Sequence, residues 1–156
     1  VMRLGKVEQF GTPEEIYSTP VSKYVAQFVG SPRMNILDGE LLRIGEQTGF
    51  RFGSIVLPLG AQAATIGARD GNRIELGIRS EHVRIGDGGL PAMVRFVQPI
   101  GPETHVTVGW NDTAQTLIAR VPGIVRLQPG AQVNVVLDPA SMLFFDPETG
   151  NRIAVA

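Results

Sequence analysis

The chain has 156 residues, 43% of them apolar and 19% charged, with a net charge of −1 from 14 basic and 15 acidic side chains. That length holds one domain, or one domain with an appendage, and the near-neutral balance argues against a nucleic-acid binder, which needs a basic face to neutralise phosphates. The absence of cysteine excludes disulfides, thiolate metal sites and cysteine nucleophiles, and no apolar run approaches the roughly 18 residues of a membrane span.

Nineteen Gly and eleven Pro predict many turns and short strands. Val1–Gly11 reads as a hairpin turning at Leu4-Gly5-Lys6, and its first residues lack the apolar stretch and cleavage site of a secretory signal. The expectation is a cytoplasmic chain cut from something longer. Thr12-Pro13-Glu14-Glu15 opens a helix: Thr12 can cap, Pro13 suits the first helical position, and Glu15 completes a capping box. Pro20 ends that helix. Ser22 can cap a second, in which Tyr24/Phe28 and Val25/Val29 are i,i+4 pairs on one face. Both helices are too short to persist alone. Gly30 and Pro32 then form a stop signal, so Gly30–Pro32 is the expected joint between a leading piece and a larger β domain.

Beyond Leu37 the apolar period changes to two. Phe50 and Phe52 flank Arg51; Ile74, Leu76 and Ile78 alternate with Glu75, Gly77 and Arg79; Val106, Val108 and Trp110 alternate with His105 and Thr107; Val133, Val135 and Leu137 alternate with Gln132 and Asn134. Such alternation predicts antiparallel strands with one buried face. Turn signals fall at Gly45–Gly49, Asp70-Gly71-Asn72, Gly86–Gly89, Asn111-Asp112, Pro122-Gly123, Pro129-Gly130 and Asp146–Asn151. The fold class expected is mainly β, a barrel or sandwich of short strands.

Little catalytic chemistry is supported. A phosphate-cradling loop needs Gly-Lys followed by Ser or Thr; the only lysines are Lys6 and Lys23, and Val7 follows Lys6. The two histidines, His82 and His105, suggest paired or solvated side chains rather than a metal site. Ser80-Glu81-His82 holds triad residue types, but neighbours in a turn cannot assemble triad geometry. Phe50-Arg51-Phe52 fits a core-facing aromatic pair with Arg51 outward better than a base-stacking platform.

Gly5-Lys6-Val7-Glu8-Gln9-Phe10-Gly11-Thr12-Pro13-Glu14-Glu15-Ile16-Tyr17, then Pro20, Val25-Ala26-Gln27-Phe28-Val29-Gly30-Ser31-Pro32 and Met34-Asn35, resembles the end of the ATPase domain in ABC importer subunits of the maltose and glycerol-3-phosphate type. Gly77-Ile78-Arg79-Ser80-Glu81-His82-Val83 is similar to the signature of that family's C-terminal regulatory domain, although the family usually carries Pro where Ser80 stands. Gln98-Pro99-Ile100-Gly101-Pro102-Glu103-Thr104 and the closing Phe144-Phe145-Asp146 to Ile153 are similar too. The resemblance implies that residues 1–30 are a C-terminal remnant of the nucleotide-binding domain. It also implies that residues 31–156 are an OB-like antiparallel barrel, a TOBE domain.

The implied role is non-catalytic regulation and dimerisation in a carbohydrate-type importer, peripheral to the inner membrane. A second copy, an ATPase domain and permease subunits would be the partners. No cofactor is expected here, ATP and magnesium belonging to the parent protein. The candidate regulatory or interface residues are Gly77, Arg79, Glu81, His82, Gly101, Glu103 and Thr104, with Arg79 and Glu81 expected as a local pair. A turn held by its own polar contacts is the alternative for Arg79, Glu81 and His82. A small-ligand module of the oxyanion-binding kind is the alternative for the whole. The leading segment's apolar residues need cover, and a second copy is expected to supply it.

Overall fold

A computed structural model describes residues 1–60, 66 and 72–153, so the expected Asp70-Gly71 part of one turn lies outside the described residues. Strands β1 (Met2–Arg3) and β2 (Lys6–Val7) pair antiparallel with Met2 opposite Val7. Leu4 and Gly5 between them both take positive φ, as a two-residue hairpin turn demands. Helix α1 (Pro13–Ser18) opens with the expected capping box: the Thr12 hydroxyl accepts the Glu15 N–H at 3.2 Å and the Glu15 carboxylate accepts the Thr12 N–H at 2.7 Å. Helix α2 (Lys23–Phe28) is capped by the Ser22 hydroxyl.

The rest is two antiparallel sheets. One holds β11 (Leu143–Phe145), β6 (Arg73–Ile78), β3 (Asn35–Ile44), β4 (Gln47–Phe52) and β5 (Ile55–Pro58), in that spatial order. The other runs β10 (Gln132–Leu137), β7 (Val83–Ile100), β8 (Glu103–Gly109), β9 (Thr116–Pro122). Their inner faces share one core that includes Leu37, Phe50, Leu76, Val94, Val106, Leu117 and Val135. Phe52 meets Trp110 edge to face at 4.8 Å between centroids, joining the sheets. Arg51 points outward and pairs with Glu40 across the β3–β4 ladder, the orientation its flanking phenylalanines predict.

Where β3 has β6 on one side and has not yet met β4 on the other, two side-chain amides tie it to β9. Asn35 donates to the Ile118 carbonyl at 2.9 Å and accepts the Ile118 N–H at 2.8 Å. Gln115 returns the arrangement, accepting the Asp38 N–H at 2.6 Å and donating to the Asp38 carbonyl at 2.9 Å. Each amide reproduces a peptide group's donor and acceptor, so Ile118 of β9 and Asp38 of β3 are satisfied there without a backbone ladder.

Four expectations need correction. The β6 alternation does not give one wet face: Ile74 through Ile78 are all buried, Glu75 and Gly77 included, because α2, Met34 and Phe145 cover the second side. Gly86–Gly89 is not a turn between strands but lies within β7, where the register with β10 jumps from Ile85 opposite Val135 to Pro91 opposite Asn134. Tyr24 and Phe28 stack on each other at 5.8 Å with Phe28 exposed, while Val25 and Ala26 form the buried face of α2.

Finally, the chain's own sheets cover the Val25–Ala26 face of α2, whereas α1 buries no residue and Phe28 stays exposed. The Lys23 N–H donates to the Gly150 carbonyl at 2.8 Å and the Arg152 N–H to the Val21 carbonyl at 2.9 Å. A second copy is not needed for α2, although Met2, Leu4, Val7 and Phe10 stay exposed. Asn35→Ala is expected to leave the Ile118 N–H and carbonyl without partners and to cost about 2–3 kcal/mol, read as a lower urea midpoint at unchanged slope.

Candidate functional site at the helix–sheet joint

Between β6 and β7 the chain makes a single 3₁₀ turn, Ser80–His82, and the residue before it, Arg79, is buried. Its guanidinium lies beneath the helices. One terminal nitrogen donates to the carbonyls of Ala26 (3.0 Å) and Val29 (2.6 Å), the other to the carbonyl of Tyr17 (2.9 Å). Ala26 and Val29 lie at the C-terminal end of α2, where carbonyls lack intrahelical partners and the dipole favours a cation. The guanidinium also stacks 3.9 Å from the centre of the Tyr17 ring. Burial draws the Arg79 pKa below its ordinary value, against the opposing influence of Tyr17 and Glu81; arginine nonetheless stays charged.

Gly30 makes this possible. Its φ is +107°, and a Cβ there would stand 2.9 Å from an Arg79 terminal nitrogen and 3.2 Å from the Tyr17 ring. The stop signal read from the sequence thus also vacates the space that the guanidinium occupies.

Arg79 and Glu81 are not the direct pair expected. They meet through Tyr17, whose hydroxyl donates to one oxygen of Glu81. Burial, reinforced by that hydrogen bond, raises the Tyr17 pKa. Burial alone would raise Glu81 as well, but the Tyr17 hydroxyl, the residue's own backbone N–H, His82 and Arg120 together hold it below its ordinary value. The second Glu81 oxygen stands 4.0 Å from Arg120 of β9, which is seated on Glu103 at 2.8 and 2.9 Å. Glu103 also meets the ring of His105 at 2.9 Å, and His105 and Arg120 hold its pKa low. His105 and Arg120 are direct partners in the β8–β9 ladder, within reach for a cross-strand network.

Of the residues singled out in the sequence, Arg79, Glu81 and Glu103 therefore come together. The others do not. His82 faces Asp138 at 4.0 Å. Thr104 is fully buried, donating to the Gly123 carbonyl at 2.7 Å and accepting the Val125 N–H at 3.1 Å, which pins the segment after β9. Gly101 sits at the β7–β8 turn with φ +62° and open space where a Cβ would be. Gly77 is a packing glycine: a Cβ would stand 2.6 Å from the Phe145 ring and 2.8 Å from the Met34 sulfur. Sequence reasoning missed Tyr17, taken only as an apolar residue needing cover, and Arg120, one of twelve scattered arginines with no local signal.

A second tie lies beside the first. Lys23 of α2 reaches Glu75 on β6 at 2.6 Å. Glu75 faces Asp38 directly in the β3–β6 ladder; burial raises its pKa, Lys23 opposes that, and Asp38 adds to it. The cleft over this pair carries Asp38, Glu75, Asp146 and Glu148 against Arg73, a poor environment for an anion. A groove on the other sheet, lined by Pro91, Met93, Trp110, Asn111, Gln132 and Asn134 among others, holds no charged side chain. Among the described residues no group of three or more His, Cys, Asp or Glu is placed to hold a metal.

Two antiparallel sheets around one core, preceded by a short helix pair, define an OB-like and TOBE-type β domain. The family described as the MalK OB fold domain matches residues 30–83, and the TOBE domain family matches residues 76–145. Together the two matches span residues 30–145, and the chain belongs to the OB/TOBE domain family that they describe. It is 37% identical to the ABC transporter ATP-binding protein y4oS of Sinorhizobium fredii, over 99% of this chain and 40% of that protein. It is 36% identical to the sn-glycerol-3-phosphate import ATP-binding protein UgpC of Ruegeria sp., over 99% of this chain and 41% of that one.

The chain thus spans about two fifths of the length of these relatives. Among solved structures, the cytoplasmic molybdate-binding protein ModG with molybdate bound superposes with a TM-score of 0.52 at 14% identity, covering 72% of this chain and 96% of that one. That likeness is one of fold.

Arg79→Lys keeps the charge but cannot reach three carbonyls from a planar fork, and it is expected to cost roughly 2–4 kcal/mol by urea denaturation. Because the Glu81 pKa is lowered on folding, the unfolded chain binds the proton more readily, and the stability Glu81 contributes is present above the ordinary value of 4.5 and lost as pH falls below it. Glu81→Gln should flatten that part of the stability–pH curve.

Proposed function

We propose that this chain is the non-catalytic regulatory and dimerisation region of the ATP-binding subunit of a carbohydrate-type ABC importer, with glycerol phosphates or sugars as the class of cargo. Residues 1–30 would complete the ATPase domain and residues 31–156 would form the regulatory OB/TOBE domain. The observation that carries the reading is the joint itself. Arg79 holds the carbonyls of both helices from within the barrel, so movement of the helix pair and of the sheets is coupled by a buried charge. Relatives bearing importer ATP-binding names match along nearly the whole chain, and the exposed Met2, Leu4, Val7 and Phe10 give the hairpin an apolar face suited to an ATPase domain.

In this reading the subunit sits on the cytoplasmic side of the inner membrane beneath a permease. Two regulatory domains stay in contact while the ATPase domains open and close, and an effector that prefers one state shifts the cycle. ATP and magnesium act in the ATPase domain and not here: neither lysine of this chain stands in a nucleotide loop. The oxyanion-binding alternative is not favoured, because the charged residues lining the cleft beside the helix joint are four carboxylates against a single arginine.

The test is a graft. The chain replaces the matching region of a UgpC subunit, and ATP hydrolysis by the assembled importer is measured with and without its substrate-loaded binding protein. Retained stimulation, lost in the Arg79→Ala graft, is expected. A graft that assembles and hydrolyses ATP identically with and without Arg79 overturns the regulatory coupling, and micromolar molybdate binding to the isolated chain by calorimetry revives the alternative.

A further inference from the structure

The ion pairs at the joint differ in kind. Arg79 is buried and all its carbonyl partners are fixed backbone. Arg120 is not: its side chain is 37% exposed, and the two carboxylates it faces, Glu103 and Glu81, are 26% and 30% exposed. It sits on Glu103 through Nε at 2.9 Å and Nη2 at 2.8 Å, both to Oε2, while its remaining Nη1 points at Glu81 Oε2 from 4.0 Å. That gap is too long for a hydrogen bond and short enough to close by a side-chain rotation.

We propose that Arg120 is a shuttle cation with two seats, Glu103 and Glu81, and that its move onto Glu81 Oε2 draws charge from the carboxylate whose other oxygen, Oε1, accepts the Tyr17 hydroxyl, weakening that bond. Water reaches both seats, so the exchange does not carry the desolvation cost that fixes a buried ion pair. The charges facing it are few. His105 lies beside Glu103, His82 and the Ser80 hydroxyl lie beside Glu81, and Arg79 stacks behind the Tyr17 ring.

Glu103, His105 and Arg120 belong to β8 and β9, whereas Tyr17 belongs to α1. The seat that Arg120 takes therefore sets how firmly α1 is held to the barrel, while Arg79 keeps the backbone docked in both. Such an element with two discrete arrangements is what coupling between distant surfaces requires. A regulatory meaning for it rests on the function proposed above; the shuttle itself does not, and it is tested on this chain alone.

The chain has only two tyrosines, so carbon-13 labelling of the tyrosine ring carbon bearing the hydroxyl yields two NMR signals, assigned with Tyr24→Phe. At neutral pH the Tyr17 signal reports the strength of its bond to Glu81. Glu103→Gln is expected to move that signal toward the position of a water-bonded phenol, as Arg120 takes the Glu81 seat. In an Arg120→Gln background the same Glu103→Gln change is expected to have no effect, giving a non-additive cycle. Equal movement in both backgrounds means that the Glu103 charge acts only through space, and no movement in either means that Arg120 does not leave its seat; both results overturn the proposal. Arg120→Lys, which keeps the charge, should restore the response to Glu103→Gln.

Discussion

A guanidinium surrounded by backbone carbonyls holds the two parts of this protein together. The helices α1 and α2 are six residues each, below the length at which a helix persists in water, and their last carbonyls have no partners of their own. Arg79 supplies those partners from the end of a sheet strand, with a charge that suits the negative ends of the helices. Everything around it serves the same contact. Gly30 leaves the space empty, Tyr17 closes one side as an aromatic wall, and the buried β6 carries the residue to its place.

Outward from Arg79 the polar contacts become wetter and more exchangeable. Tyr17 hands the contact to Glu81, Glu81 stands at a distance from Arg120, and Arg120 is shared with the Glu103–His105 pair on the far sheet. This gradient gives the region a rigid centre and an adjustable rim.

The two sheets are joined by different means. Apolar packing from Phe52 to Trp110 fills the centre, while at the β3–β9 edge the amides of Asn35 and Gln115 stand in for missing ladder bonds. At Ile118 the edge of β9 finds its partners without another strand beside it, which blunts that edge as a template for pairing. The Leu4–Gly5 hairpin has no such cover, and Met2, Leu4 and Val7 stay exposed.

Local features were legible from the residues alone. The capping box at Thr12 and Glu15, the caps at Ser22 and Gly30, the hairpin at Leu4-Gly5 and the Phe50/Phe52 core pair all depend on neighbours a few positions away, and each is where its spacing places it. The family resemblance at residues 5–35 and 77–82 likewise lies in contiguous runs. What tertiary structure alone decided is which charges meet. Alternation marked one face of β6 as buried, but only the docking of α2 and Phe145 buries the other and makes Glu75 and Gly77 interior. Arg79 and Glu81 are two residues apart, so sequence paired them directly; the chain instead inserts Tyr17, 64 positions from Glu81, between them. Arg120 gave no signal because an isolated arginine on a strand is ordinary until the fold sets it between two carboxylates. Covalent neighbourhood fixes turns, caps and periodicity, whereas the partner of a long charged side chain depends on distances that exist only once the sheets have packed.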